Sequence, residues 1–245
     1  MNYLNSFTFF IPARMESSRL YGKPLLKIGK SSLIERVYLN CSKSKYCKQV
    51  YIVTDSRNIK KHCIEKGMNF ILTGKHNCAS DRVAEASLQV KDHWVVEVQG
   101  DEPFLNNKII DKWISKSLKK IQVKYAPDIF LSYAKLDYEK SHNYNFVKIV
   151  FDKNFEAKWF SRSKIPSDWK GHKKSKMYRH TGFHLWKRKS LISFGSIKPS
   201  YIEKSEDTHA VRLTENNFSV KGIEIPDTLS IDTPNDLKKA RKMKS

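Results

Sequence analysis

Residues 7–11, Phe-Thr-Phe-Phe-Ile, run directly into Pro12-Ala-Arg-Met-Glu-Ser-Ser-Arg-Leu-Tyr-Gly-Lys-Pro24. The apolar run reads as a strand, and the segment after it as a loop carrying three cations, Arg14, Arg19 and Lys23. Farther along, the short apolar runs Gln49–Val53, Asn69–Leu72 and Trp94–Val98 alternate with longer amphipathic segments at Ser31–Ser42, Asn58–Gly67, Asp81–Lys91 and Asn107–Ile121. The short runs predict strands and the longer segments helices. Their alternation predicts an α/β fold, a mostly parallel central sheet with right-handed crossover helices. Ligands of such sheets bind outside the carboxyl ends of the strands, so functional residues are expected just after the apolar runs.

The second half is less regular. Ile129–Leu136, Phe146–Phe151, Glu156–Phe160 and Gly182–Trp186 read as strands, Glu203–Asn216 as a helix and Ser219–Ile225 as a further strand. A last helix starts at Thr233, with Pro234 in its first turn and Asp236 three residues after the cap, and its basic tail Lys238–Ser245 suits a helix C-terminus. No Pro/Gly/Ser linker or internal repeat divides the chain. One continuous domain with an inserted mixed α+β substructure in the second half is expected.

Of 245 residues 40% are hydrophobic, with only 9 Gly and 8 Pro, a globular composition that excludes a fibrous or low-complexity chain. Lys and Arg number 46 against 25 Asp and Glu, and the resulting +21 points to a polyanion or to anionic small molecules. No recognition-helix pattern, zinc-finger spacing or aromatic-basic repeat accompanies that charge, which argues against a specific nucleic-acid partner. No apolar run approaches the roughly 20 residues that cross a bilayer, and Met1–Asn5 lacks the layout of a signal peptide. A cytoplasmic location without membrane insertion is expected. Cys41, Cys47, Cys63 and Cys78 show neither CxxC pairing nor metal-ligand spacing and read as reduced thiols. His180 and His184 stand four apart in what reads as a strand, where such side chains lie well separated, so no shared zinc site is expected.

Three places carry chemistry. Arg14, Arg19 and Lys23, with Gly22 beside the last, suit a chain of phosphates, or else form a solvated basic loop; the loop is not a Walker A sequence. Asp101 and Glu102 in Val98-Gln-Gly-Asp-Glu-Pro103 follow a strand and make either a turn or a seat for a hard divalent cation. Asp232 precedes the helix cap at Thr233, so it is either ordinary helix-start chemistry or a second ligand with Asp101.

PARMESSRLYGKPL, HNCASDR at His76–Arg82, VQGDEP, FVKIVFD at Phe146–Asp152, WFSRSKIP at Trp159–Pro166, RHTG at Arg179–Gly182 and IDTPNDL at Ile231–Leu237 resemble, in order and spacing, the 3-deoxy-manno-octulosonate cytidylyltransferase (CMP-Kdo synthetase) family. The resemblance runs from about Phe9 to Lys238. It implies a Rossmann-like sheet of the nucleotide-diphospho-sugar transferase type. The implied activity joins CTP to a 2-keto-3-deoxy sugar acid, Kdo or a close analogue, for lipopolysaccharide or capsule-type glycans. The implied division is a nucleotide-binding half at about 1–125, a sugar-binding and dimer-forming half at about 126–225, and the Asp loop with the C-terminal helix at 226–245. On that resemblance Arg14, Arg19 and Lys23 hold the triphosphate, Ala79 and Ser80 border the cytosine pocket with Arg82 nearby, and Asp101 and Asp232 bind Mg²⁺. Gln99, Arg162, Arg179, His180, His184 and His209 face the sugar acid, and Lys23, Asp101 and Asp232 carry catalysis. No side chain stands out as a general base, a role left to the metal. A homodimer is implied.

The chain departs from the family's pattern at several positions. Tyr21 replaces a Pro, and Cys78-Ala79-Ser80 replaces Ser-Gly-Thr with residues that are also small and leave room for CTP. His184 replaces a Tyr, and His209-Ala210 replaces a Glu-Gln pair on a helix that touches the sugar. That exchange removes hydrogen-bonding capacity for sugar hydroxyls and predicts an altered sugar, such as an amino or deoxy relative of Kdo or a nonulosonic acid.

Overall fold

A computed structural model describes residues 6–17, 19–121, 126–167, 169 and 176–243. Met1–Asn5 and the last two residues of the basic tail lie outside them. The elements are β1 (Phe7–Pro12), β2 (Lys27–Ile28), β3 (Ser31–Ser32), α1 (Leu33–Ser42), β4 (Cys47–Thr54), α2 (Arg57–Glu65), β5 (Phe70–Leu72), α3 (Ala79–Ser87), β6 (Trp94–Val98) and α4 (Asn107–Ile121). There follow β7 (Ile129–Leu136), β8 (Lys148–Phe151), β9 (Ala157–Ser161), β10 (Met177–Lys187), α5 (Arg188–Ser196), α6 (Tyr201–Glu206), α7 (Ala210–Glu215), β11 (Val220–Glu224) and α8 (Pro234–Lys242).

Among the described residues nine strands form one sheet, in the order β11-β7-β10-β6-β1-β4-β5, with β8 and β9 attached beside β10. The pairs β6–β1, β1–β4, β4–β5 and β7–β11 are parallel, whereas β10 runs antiparallel to both β6 and β7. All six residues of β1 are buried, as expected of a parallel strand covered on both faces. Phe7, Phe9 and Ile11 meet α1, α2 and α4 in one apolar cluster, and Phe10 meets α3, α5 and α7 in another. From β1 the chain crosses to β4 and β5 on one side and returns to β6 on the other. The loops after β1 and β6 therefore flank a topological switch point, where ligands of open α/β sheets bind. A third cluster, Ile28, Leu33, Ile231, Leu237 and Ala240, docks α8 against the small β2–β3 sheet and brings residue 232 to that same edge.

Two expectations fail, both in the second half. The single helix over 203–216 is two helices, because Asp207 takes the left-handed φ of 46° between α6 and α7. Arg162 holds that break, with Nε donating to the Glu206 and Asp207 carbonyls at 3.1 and 3.2 Å and Nη2 to the Asp207 carbonyl at 2.8 Å. His180 and His184 are not well separated either. They pair with Tyr133 and Leu131, so four steps on β10 match two on β7, and the strand bulges between them. Ser132 Oγ fills the bulge, bonded to Thr181 Oγ1 at 2.5 Å and donating to the Phe183 carbonyl at 2.8 Å. The two imidazoles stack as a result, with Nε2 atoms 2.7 Å apart. The helix α5 and the β2–β3 pair were not expected from the sequence.

Candidate active site

The Gly22 amide donates to the Met15 carbonyl at 3.0 Å and closes the loop after β1 on itself. Gly22 takes φ 66°, which a side chain would strain. Lys23 then opens a short 3-10 turn, and its ammonium lies between two carboxylates, Asp101 Oδ2 at 2.8 Å and Asp232 Oδ1 at 3.3 Å. Arg19 reaches the same Asp232 oxygen at 3.2 Å and Asn145 Oδ1 at 2.7 Å. The Ile231 amide donates to the Asp101 carbonyl at 2.9 Å and ties the two acidic loops together. Burial opposes the charge on Lys23, but Asp101 and Asp232 outweigh it and hold its pKa above the ordinary lysine value.

Asp101 and Asp232 thus share one cation and remain about a quarter exposed. Among the described residues no third carboxylate, histidine or cysteine completes a metal-binding group with them. Two solvent-reachable carboxylates that already converge on a cation fit a hard divalent ion whose remaining ligands are water and substrate oxygens. Glu102 is not part of that pair. It is buried and accepts from Ser230 Oγ at 2.5 Å and Thr228 Oγ1 at 3.0 Å, which fastens the 228–232 segment to the β6 loop. Burial, with the Asp101 charge beside it, pushes its pKa up to about 7.

On the other side of the β1 loop, Arg14, Tyr21, Asp55, Lys75, His76 and Arg82 line a cavity of about 290 Å³. Arg14 Nη1 donates to the Asn77 carbonyl at 3.1 Å. Arg82 is buried and pinned by Asp55 Oδ1 at 3.0 Å and Thr73 Oγ1 at 2.8 Å, so it braces the wall of the cavity. Ala79, half-buried, opens α3. The Ser80 hydroxyl turns inward to Glu97, at 3.0 and 2.9 Å from its two oxygens.

The residues expected on the sugar side are divided between two groups. Gln99, His184 and His209 gather around Glu97, a buried acid in the middle of the apolar strand β6. Gln99 Nε2 donates to Glu97 Oε1 at 2.6 Å and Trp186 Nε1 to Oε2 at 3.0 Å, while His184 Nδ1 lies 3.4 Å from Oε2, at ion-pair distance without hydrogen-bond alignment. His209 Nε2 is 3.1 Å from Ser80 Oγ. His180 joins through the stack with His184, and burial, with His184, His209 and Arg179 nearby, pushes its pKa well below the ordinary histidine value. Arg162 and Arg179 direct their hydrogen bonds elsewhere. Arg162 holds the α6–α7 break, and Arg179 donates to Asp227 Oδ1 at 2.7 Å and the Thr228 carbonyl at 2.8 Å. Ala210 packs into the core. Sequence reasoning missed Glu97, although an acid inside Trp-Val-Val-Glu-Val was a usable signal, since carboxylates are almost never fully buried unless paired.

The cytidylyltransferase family model matches residues 8–242. A 3-deoxy-manno-octulosonate cytidylyltransferase of Leptospira interrogans is 35% identical over 231 residues, covering 93% of this chain and 91% of that protein. Its counterpart in Chlorobium limicola is 32% identical over 238 residues, covering 95% of each. A solved structure of CMP:2-keto-3-deoxy-manno-octonic acid synthetase complexed with CTP is similar with a TM-score of 0.86 at 26% identity, over 96% of this chain and 97% of that one. With a nucleotidyltransferase sheet, its switch-point loops and these relatives in agreement, the chain belongs to the 3-deoxy-manno-octulosonate cytidylyltransferase family and is a nucleotidyltransferase.

Proposed function

We propose that this chain couples CTP to a 2-keto-3-deoxy sugar acid, Kdo or a close analogue, giving the CMP-sugar and pyrophosphate for a lipopolysaccharide or capsule-type glycan. The observation that carries the reading is the convergence of Lys23, Arg19, Asp101 and Asp232 at the switch point. The anomeric hydroxyl attacks the α-phosphorus and pyrophosphate departs, so negative charge must be met on the equatorial and leaving oxygens. Arg14, Arg19 and Lys23 meet it from the loop after β1. The cavity lined by Arg14, His76 and Asn77 takes the base, and Ala79 is assigned to its border. A triphosphate competes for Lys23 and Arg19 and leaves Asp101 and Asp232 to hold Mg²⁺, which when bound supplies Lewis-acid charge at the phosphates. Gln99, His180 and His209 face the sugar acid, with His184 behind them and Arg162 and Arg179 shaping that half of the cleft.

We assign the nucleotide to residues of about 1–125, the sugar and a homodimer contact to about 126–225, and the second acidic loop to 226–245. Exposed Tyr144 and Trp169 support the dimer contact. A cytoplasmic site of action fits the substrates, and among the described residues no helix is long and apolar enough to cross a membrane. A different sugar acid, such as an amino or deoxy relative of Kdo or a nonulosonic acid, is the second reading. It is favoured by Ala210 lying in the core and His209 turning to Ser80, since neither repeats an acid-amide contact.

The test is pyrophosphate release with CTP, ATP, GTP or UTP against a panel of sugar acids, with and without excess chelator. Strong preference for CTP, dependence on a sugar acid and loss of activity in chelator are expected. Equal turnover of the four nucleotides, or full activity in chelator, sinks the reading.

A further inference from the structure

Gln99 is held from three sides. Its Nε2 donates to Glu97 Oε1 at 2.6 Å, its backbone amide donates to the Gly182 carbonyl at 2.7 Å, and its Cβ and Cγ fill the space that a Cβ on Gly182 would enter at 2.6 Å. The bulge of β10 and the glycine in it therefore form one wall of a mould for this side chain, and Glu97 forms the other.

Glu97 is 0% exposed, and side-chain donors or titratable rings face it from several elements: Ser80 from α3, Gln99 after β6, His184 and Trp186 from β10, and His209 at the start of α7, while Phe10 of β1 stands opposite it in the sheet. A carboxylate so enclosed does not reach substrate, but it decides what Gln99 shows to the cleft. An amide has a donor end and an acceptor end, and an ionised carboxylate accepts only, so the NH₂ of Gln99 must face Glu97 and Oε1 must face away. Burial alone would raise the Glu97 pKa, yet His184, His209 and the Ser80 hydroxyl more than offset it and keep the acid ionised.

We infer that Glu97 is a positioning residue for sugar-acid recognition: it fixes the Gln99 amide so that its carbonyl oxygen is presented to a donor on the substrate, a hydroxyl or an amine. The inference rests on the reading that Gln99 faces the sugar acid. It also makes the departures at His184 and His209 parts of one arrangement, two imidazoles packed about the carboxylate, one at 3.4 Å from it and the other on the Ser80 hydroxyl that bonds it.

The experiment combines Glu97→Gln, Gln99→Ala and the double variant. A glutamine at 97 accepts or donates equally well, so the orientation of Gln99 is no longer dictated. In ¹⁵N spectra the Gln99 side-chain NH₂ pair is identified by its absence from Gln99→Ala. It is expected to exchange slowly with solvent in the native protein and at least tenfold faster in Glu97→Gln. In steady state with CTP and Kdo, Glu97→Gln is expected to raise KM for Kdo about tenfold while KM for CTP changes less than threefold. Added to Gln99→Ala, the same substitution is expected to change KM for Kdo less than threefold, which a general loosening of the fold would not reproduce. An unchanged amide signal, an unchanged KM for Kdo, or a penalty that persists in the double variant overturns the inference. Should Glu97→Gln not fold, Gly182→Ala crowds Gln99 from the opposite wall, and the same split between the two KM values is expected. If the native enzyme uses CTP but no sugar acid, the substrate reading falls, and the amide signal alone then decides whether Glu97 orients Gln99.

Discussion

Asp101 and Asp232 keep 26% and 27% of their side chains exposed and share Lys23, with Arg19 added on Asp232, whereas Glu97, on the strand just before Asp101, is 0% exposed and enclosed by donors. The first site is built to exchange partners. Its cations sit on a loop and on flexible stems and its carboxylates stay open to solvent, so a triphosphate can take Lys23 and Arg19 away from them. The second site is built not to change. Its donors come from packed strands and helices, and removing one side of such a buried arrangement costs about 3–5 kcal/mol. On the proposed reading, catalysis uses the exchangeable carboxylates and substrate orientation the fixed one.

Substitution at the open site gives the most direct way to break this contrast. Asp101→Asn and Asp232→Asn are each expected to lower kcat/KM at least a hundredfold, about 3 kcal/mol of transition-state stabilisation, while the melting temperature barely moves. Pyrophosphate release and a thermal melt on the same samples check both halves. If either variant keeps near-native turnover, that carboxylate is not a metal ligand.

The reverse pattern is expected at Glu97. Truncation to alanine strands the Ser80 hydroxyl, the Gln99 amide and the Trp186 indole N–H without an acceptor. A loss of about 3 kcal/mol is expected, or roughly 6–12 °C in Tm for a chain of this size. Asp101→Ala is expected to shift Tm by under about 4 °C. Equal shifts for the two alanine variants would erase the distinction between a fixed and an exchangeable acid.

The same contrast separates what the sequence reveals from what it hides. The β1 and β6 edges were legible because apolar runs and local crossovers encode them, and the cations of the loop after β1 could be named with them. The meeting of Lys23 with Asp101 and Asp232 spans 78 and 209 residues, so only the family resemblance could suggest that the two acids share a site. The regular strand pattern gave no hint of the bulge at Thr181–Phe183, which stacks His180 on His184 and depends on Ser132 from a neighbouring strand. The break at Asp207 is likewise hidden, because Arg162 holds it from 45 residues away. The side chains around Glu97 were named singly, but their common partner was not.

Asp236 gives the smallest and most discriminating effect. Its Oδ2 accepts from the Thr233 amide at 2.9 Å and hydroxyl at 2.7 Å, and from the Asp232 amide at 3.3 Å, so it caps α8 and also steadies the backbone of the residue assigned to the metal. Asp236→Asn keeps one acceptor oxygen and removes a negative charge from a helix N-terminus, a change of about 1 kcal/mol in stability. Asp232 remains placed by the bond from the Ile231 amide to the Asp101 carbonyl, at 2.9 Å, and by Leu237 and Ala240 packed on Ile28 and Leu33. Activity is therefore expected to fall no more than a few-fold, with KM for CTP close to native. A hundredfold loss, equal to that of Asp232→Asn, would mean that the charge at 236 itself serves the reaction, and the open site would then contain three acids instead of two.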